Sequence, residues 1–132
     1  MNAIVAVDSN WGIGYKNKLL LSIPEDMKFF RTMTDGKVVV VGLNTLKSFP
    51  GKKPLPNRTN IILAASRRYK NEKALVCHSL EELLALLDNY NTEDVFVIGG
   101  ESVYRLLLPY CSKAYITKIE KEFKADRYFE NL

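Results

Sequence analysis

Residues 95–104 read Val-Phe-Val-Ile-Gly-Gly-Glu-Ser-Val-Tyr, "VFVIGGESVY". The first four are apolar and mostly β-branched, the composition of a strand buried on both faces. Gly99 and Gly100 then end the run, and residues 102–108 carry helical spacing that Pro109 stops. A buried strand turning through glycine directly into a helix is the repeating unit of a parallel sheet. The glycine pair permits close backbone approach and leaves N–H groups at the helix start, a ready place for a diphosphate. A tight packing turn between strand and helix explains the same pattern.

Outward from that stretch the pattern repeats. Short apolar strands are expected over residues 3–7, 37–41, 60–65, 74–77, 95–98 and 114–119. Helices are expected over 25–34, 45–49, 80–88 and 102–108, the third with Leu80, Leu83, Leu84 and Leu87 on one stripe and Ser79 as its cap. The alternation implies an α/β fold, a mostly parallel central sheet with helices on both faces. Ligands in such folds bind beyond the carboxyl ends of the strands, where the strand order reverses. The chain has 132 residues and reads as a single domain over 1–132, large enough for a core without staples.

Composition removes several classes. Apolar residues are 47% and charged residues 26%, as in an ordinary globule. The apolar runs are too short to cross a bilayer, and "MNAIVAVDSN" lacks the basic start and cleavage site of a secretory signal. Cys77 and Cys111 stand apart with only His78 beside them, which fits neither a zinc spacing nor a disulfide framework. No metal is expected, and a reducing cytoplasm suits the chain. The net charge of +4 is spread along the sequence, a pattern of solvated surface rather than of a nucleic-acid face.

The ends of the strands carry the candidate chemistry. After residues 37–41 come Gly42, Leu43, Asn44 and Thr45, a second strand-glycine-helix turn. The Thr45 hydroxyl suits a phosphate, and equally a helix cap. Two such turns in one small sheet suggest one extended ligand with a diphosphate at its middle, a dinucleotide. No G-x-G-x-x-G follows the first strand, so the usual Rossmann site is disfavoured. After residues 60–65, Ser66, Arg67 and Arg68 suit a ribose 2′-phosphate, which would select NADPH; exposed arginines without a ligand are the other reading. Pro54 and Pro56 stiffen the approach to Arg58, whose guanidinium suits a carboxylate or a structural ion pair.

One residue is placed unusually. In "SIPEDMKFFRTMT" (22–34), Ser22, Pro24 and Glu25 mark a helix start, and Asp26, Phe30 and Met33 share one face. A carboxylate in the first turn interacts favourably with the helix dipole. A carboxylate set into an apolar cleft to hold a polar ligand is the sharper reading.

Taken in order, five blocks of this sequence resemble the dihydrofolate reductase family: "GIGYKNKLLLSIPEDMKFF" (12–30), "VVVVGLNTLKSF" (38–49), "PLPNRTNII" (54–62), "VFVIGGESVY" (95–104) and "YITKIEKEFKADRYF" (115–129). The resemblance implies NADPH-dependent reduction of 7,8-dihydrofolate to 5,6,7,8-tetrahydrofolate, a step of one-carbon metabolism and a target of antifolates. Hydride would pass from nicotinamide to pterin C6 while N5 takes a proton. Asp26 matches the carboxylate that binds the pterin, and Thr117 the hydroxyl beside it; with Tyr104 these are the implied catalytic positions. Val5, Ala6, Met27, Phe30, Phe49, Leu55, Ile98 and Arg58 are the implied substrate contacts, Arg58 as the clamp on the glutamate carboxylate. Ala6, Ile13, Gly14, Gly42, Asn44, Thr45, Ala65, Ser66, Arg67, Ser102, Val103 and Tyr104 match positions around the cofactor, as do Gly99 and Gly100, which the family joins by a cis peptide.

Three features depart from the family. Leu20-Leu21 stands where a Pro-Trp pair is usual, and Leu21 cannot offer the indole N–H that helps hold a water. Leu43 stands where an arginine often follows the glycine, which shifts the cofactor's phosphate contacts toward Arg67 and Arg68. The family continues past "DRYFENL" into a closing hairpin, so the strand over 114–119 is expected to show a free edge, with self-pairing or reduced stability as the consequence. The protein is expected as a monomer or an edge-paired oligomer, binding neither nucleic acid nor membrane. A reductase of another pterin or of a riboflavin-pathway pyrimidine is the alternative enzyme, and a weakly catalytic NADPH- or folate-binding protein the alternative outside it.

Overall fold

The computed structural model describes residues 1–7, 11–15, 18–19, 24–49, 53–118 and 127–128, with backbone alone at 13–15, 18–19, 24–27, 118 and 127–128. The strands are β1 (Asn2–Val7), β2 (Gly12–Tyr15), β3 (Lys18–Leu19), β4 (Val38–Gly42), β5 (Thr59–Leu63), β6 (Leu75–Cys77), β7 (Val95–Gly99), β8 (Lys113–Lys118) and β9 (Arg127–Tyr128). The helices are α1 (Pro24–Thr34), α2 (Leu43–Leu46), α3 (Leu80–Leu87) and α4 (Glu101–Leu107).

Six strands form one sheet in the order β6-β5-β4-β7-β1-β8. Every adjacent pair in it is parallel. The period of two along each strand divides the core into two layers. Ala3, Val5, Val7, Val38, Val40 and Val97 face α3 and α4, packing with Leu83, Val103, Tyr104 and Leu107. Ile4, Ala6, Val39, Val41, Ile62 and Ile98 face the other way, packing with Phe30 of α1 and Leu46 of α2. Helices on both faces explain why these strands read as unbroken apolar runs.

Several element bounds differ from the sequence reading for identifiable reasons. The helix expected over 45–49 begins directly after Gly42 and is the single turn Leu43–Leu46. The strand expected over 60–65 is Thr59–Leu63, and Ala64 leaves the ladder although its N–H still donates to the Cys77 carbonyl at 2.9 Å. Pro109 ends α4 as expected, but through a 3-10 turn at Leu108–Tyr110 with the proline at its start. The Ser79 hydroxyl caps α3 by accepting from the Glu82 N–H at 3.1 Å. The helix start expected at Ser22 and the Leu20-Leu21 pair lie outside the described residues.

A second sheet, β3-β2-β9, is antiparallel and was not anticipated. Its strands are too short for a periodic signal, and β2 pairs with a segment near the other end of the chain, Gly12 opposite Tyr128. Trp11, at φ 64°, packs against the core layer that faces α3 and α4, away from α1. Both cysteines are free thiols. Among the described residues β8 ends the six-stranded order, and no helix is long and apolar enough to cross a membrane.

Candidate active site

The connections of β4 and β7 run in opposite directions. From β4 the chain passes through α2 to β5 on one side; from β7 it passes through α4 to β8 on the other. The crevice of an open α/β sheet opens at such a reversal, between the carboxyl ends of the two strands. Those ends are Gly42 and Gly99, and the register sets Val41 opposite Gly99. The two strand-glycine-helix turns found separately in the sequence are therefore neighbours.

Their packing leaves no room for side chains. A Cβ on Gly42 would stand 2.9 Å from Val103 Cγ2, and one on Gly100 would stand 2.8 Å from Thr45 Oγ1. Gly99 has φ 128°, a conformation reserved for glycine, and its peptide bond to Gly100 is cis. Thr45 does not cap α2: Gly42 holds the N-cap position, with no side-chain bond. Thr45 is a buried residue, but its hydroxyl is not a buried unpaired atom; it makes no cap bond and stands beside Gly100. Asn44 and Ser102 are exposed on the same two turns.

Tyr104 lies in α4, fully buried, and its hydroxyl donates to the Ile4 carbonyl at 2.7 Å. Burial pushes its pKa well above the usual tyrosine value. The bond ties α4 to β1 and holds the crevice wall in place. Tyr104→Phe deprives a buried carbonyl of this donor and should cost about 1–3 kcal/mol of stability, read by urea unfolding. An unchanged midpoint would show that the bond contributes nothing net.

On the opposite side of the sheet, α1 and the loop before β5 enclose a cavity of about 780 Å³. Phe30, Phe49, Leu55 and Arg58, four residues singled out in the sequence, line it together. Its size and mixed apolar and charged walls suit a small-molecule site. Ala6 and Ile98 face the α1 side of the sheet, and Thr117 stands opposite Ala6 on β8. Tyr115 packs into that same layer, so alternation turns Thr117 toward α1 as well. Val5 does not join them: its side chain packs in the opposite layer, which leaves only its backbone for a ligand on the α1 side. Asp26 lies in the first turn of α1, one turn before Phe30. The side chains of Asp26, Met27 and Ile13, and that of Gly14's neighbour Tyr15, are outside the description.

Arg58 is held from three sides. Its Nε donates to Thr34 Oγ1 at 2.8 Å, one Nη donates to the Pro56 carbonyl at 2.8 Å, and the guanidinium carbon sits 5.6 Å from the centre of the Phe30 ring. Thr34 is itself fixed, donating to the Phe30 carbonyl at 2.8 Å. Among the described residues no carboxylate reaches Arg58 at ion-pair distance, so the structural ion pair envisaged from sequence is absent there. Burial lowers its pKa, Asp35 opposes that and Arg31 adds to it, but a guanidinium stays charged at neutral pH. An oriented cation on the wall of this cavity, with Asp35 in the same lining but beyond ion-pair distance, is suited to an anionic ligand group.

Sequence reasoning missed the parts that hold Arg58. Asn60 is buried, accepts from the Leu55 N–H at 3.0 Å and donates to the carbonyls of Leu55 and Arg58 at 2.9 and 3.2 Å. Gly36 donates to the Asn57 carbonyl at 2.9 Å, and Asn57 donates to Asp35 at 2.6 Å, stitching the end of α1 to this loop. A buried polar residue in an otherwise apolar strand was the available signal for Asn60.

At the end of β5, Ala65, Ser66, Arg67 and Arg68 are exposed. Arg67 pairs with Glu82 at 3.3 Å, and Glu82 also accepts from the His78 N–H at 2.7 Å. The Ser66 hydroxyl accepts from the Arg68 N–H at 3.3 Å. One arginine of the pair is thus engaged with the protein surface, and among the described residues the Arg68 side chain is not in an ion pair.

A family profile for dihydrofolate reductase matches residues 1–132. The dihydrofolate reductase of Staphylococcus haemolyticus is 35% identical over 129 residues, 98% of this chain and 75% of its own length. That of Bacillus subtilis (strain 168) is 36% identical over 126 residues, 96% and 73% of the two chains. The solved structure of dihydrofolate reductase from Enterococcus faecalis, complexed with NADP(H) and RAB-propyl, shares the fold with a TM-score of 0.88 at 40% identity, covering 99% of this chain and 77% of that one.

Proposed function

This chain belongs to the dihydrofolate reductase family, and we propose that it reduces 7,8-dihydrofolate to 5,6,7,8-tetrahydrofolate with NADPH. The observation that carries the reading is the joining of two sites on one sheet, at the strand ends and beneath α1. Glycine turns at the strand reversal offer a cradle for a dinucleotide, and the cavity under α1 is lined by an oriented Arg58 that forms no ion pair with a described carboxylate, Asp35 of the same lining included.

The residues have distinct tasks. Gly42, Gly99 and Gly100 admit the diphosphate, and the Thr45 hydroxyl donates to it. Asn44, Ser102 and Val103 complete that wall, with Val103 packed against Gly42. Ala65, Ser66 and Arg67, joined by Arg68, receive the ribose 2′-phosphate. Ala6, Ile13, Gly14 and Tyr104 surround the nicotinamide, Tyr104 as a positioning residue. When bound, NADPH supplies the hydride.

The substrate lies on the α1 side. Phe30, Phe49, Leu55, Met27 and Ile98 form the apolar walls, and the Val5 backbone borders them. Asp26 binds the donor edge of the pterin as an ionised carboxylate, steadied by Thr117. Its charge favours the N5-protonated ring that accepts hydride at C6. Arg58 takes the glutamate carboxylate. This binding mode also fits antifolate-type inhibitors, and free thiols suit a reducing cytoplasm.

The direct test is loss of NADPH absorbance on adding dihydrofolate. Turnover is expected; absence of turnover with intact NADPH binding would favour a binding protein of the same fold. Gly100→Ala tests the cofactor side. Its Cβ would meet Thr45 Oγ1 at 2.8 Å, forcing Thr45 or α4 to move at the diphosphate. Overpacking of this kind costs about 1–3 kcal/mol, so the KM for NADPH should rise about 5- to 150-fold. An unchanged KM for NADPH would remove this turn from the cofactor site.

A further inference from the structure

Arg67, read above as a partner of the ribose 2′-phosphate, already has an anion against it. One Nη lies 3.3 Å from Glu82 Oε1. The other oxygen of that carboxylate accepts from the His78 N–H at 2.7 Å, and the Glu82 N–H donates to Ser79 Oγ at 3.1 Å. Glu82 is thus placed by the backbone at the start of α3, independently of Arg67. The His78 bond holds its carboxyl below the usual carboxylate range; partial desolvation opposes this and Arg67 adds to it. The group is an anion at neutral pH. The turn that carries Arg67 is tied to the same place. Leu63 pairs with Cys77, the Ala64 N–H donates to the Cys77 carbonyl at 2.9 Å, and His78 Nδ1 meets the Ala64 carbonyl at 2.9 Å. The Arg67 side chain is 73% exposed and that of Glu82 40%, so the guanidinium is the freer partner of the pair. Leu43, which opens α2, adds no charge.

We propose that Glu82 is a coenzyme-selectivity residue: it competes with the 2′-phosphate for Arg67, and so holds the preference for NADPH over NADH below what Arg67 and Arg68 alone would give. The inference rests on the reading of Arg67 as a partner of that phosphate. A phosphate that reaches Arg67 either displaces the Glu82 carboxylate or shares the guanidinium with it. In both cases it meets a cation whose charge is already partly answered by a fixed anion. NADH has no phosphate at that position and is indifferent to the contest. Both side chains are solvated, so the effect is a few fold and falls with salt.

The test measures KM for NADPH and for NADH in the parent, Glu82→Gln, Arg67→Gln and the double variant. Glutamine at 82 keeps an oxygen for the His78 N–H, so the start of α3 is preserved. Glu82→Gln should lower the NADPH KM about 2- to 5-fold and leave the NADH KM unchanged. Arg67→Gln should raise the NADPH KM, and in that background Glu82→Gln should have no further effect. Calorimetric titration with adenosine 2′,5′-bisphosphate and with adenosine 5′-monophosphate reads the same contest without turnover. Only the bisphosphate should bind Glu82→Gln more tightly than the parent, and added salt should shrink that gain. An unchanged NADPH KM in Glu82→Gln would overturn the proposal. So would a raised one, which would make Glu82 a support that orients Arg67 for the phosphate. An equal gain in the Arg67→Gln background would also overturn it, because Glu82 would then act without Arg67. Indifference of NADPH to Arg67→Gln would remove the phosphate from Arg67, and the proposal with it. A charge-dependent preference in the titrations without turnover would count against the reductase reading alone.

Discussion

Asp26→Asn lowers turnover of dihydrofolate at neutral pH by about 10²–10⁴-fold, the usual contribution of a group that governs proton delivery. The substitution keeps size and nearly keeps shape. It removes the negative charge from the first turn of α1, one turn before Phe30. Two effects are lost together. An amide makes weaker hydrogen bonds to a donor-rich ring than a carboxylate does. It also no longer favours a protonated N5, so the ring must acquire its proton from solution before hydride arrives. The variant's rate should therefore climb as pH falls, while NADPH binding at the Gly42 and Gly99–Gly100 turns is little affected. Measuring kcat across pH for both proteins checks this. Equal rates at neutral pH, or equal pH profiles, would remove Asp26 from the proton step.

Arg58→Ala produces the second large effect, and on a different constant. Removing one partner of a hydrogen-bonded charge pair costs about 2–5 kcal/mol. Here the freed carboxylate can still be hydrated through the cavity mouth, so the lower part of that range applies: a rise in the KM for dihydrofolate of about 30- to 300-fold, with kcat at saturation little changed. Arg58→Lys retains the charge but not the fork, and Thr34 Oγ1 and the Pro56 carbonyl could not both be met as they are now. It should fall between the parent and the alanine variant. A dihydropterin substrate without the glutamate provides the control, because its KM should be insensitive to either change. Loss of activity toward both substrates would mean that Arg58 supports the fold through Phe30 and Thr34 rather than binding the tail.

The two variants bear on different links between sequence and function, and those links were unevenly legible. The parallel sheet could be read because β1, β4 and β7 are buried on both faces and carry runs of four or more apolar residues, and β5 keeps a shorter apolar run after Thr59 and Asn60. The crevice could be half read. Each strand-glycine-helix turn is a local signal, but only the order β5-β4-β7 shows that Gly42 and Gly99 are adjacent. Thr45 illustrates the gain from geometry, since its hydroxyl is compatible with a cap in sequence and with none in the structure.

Long-range contacts account for what could not be read. Arg58 is oriented by Thr34, which lies 24 positions earlier, and Arg67 is engaged by Glu82, 15 positions later. Neither pairing has a local pattern. The β2-β3-β9 sheet escaped for the same reason, its strands being short and its partners distant. Asn60 gave a partial signal, a polar residue within "TNIIL", but only the structure shows that its amide makes three hydrogen bonds to the loop that lines the cavity under α1. Tyr104, drawn toward chemistry by the resemblance, also ties α4 to β1 through its hydroxyl, a contact 100 positions apart that no local pattern reveals.

All of these assignments require that a reduced nicotinamide at the glycine crevice faces a pterin held beneath α1. Single-turnover reaction with NADPH deuterated at the transferring position tests that requirement most directly. The account predicts one deuterium at C6 of the tetrahydrofolate formed, with none at N5-linked or C7 positions. Product that carries no label, or carries it at C7, would contradict it.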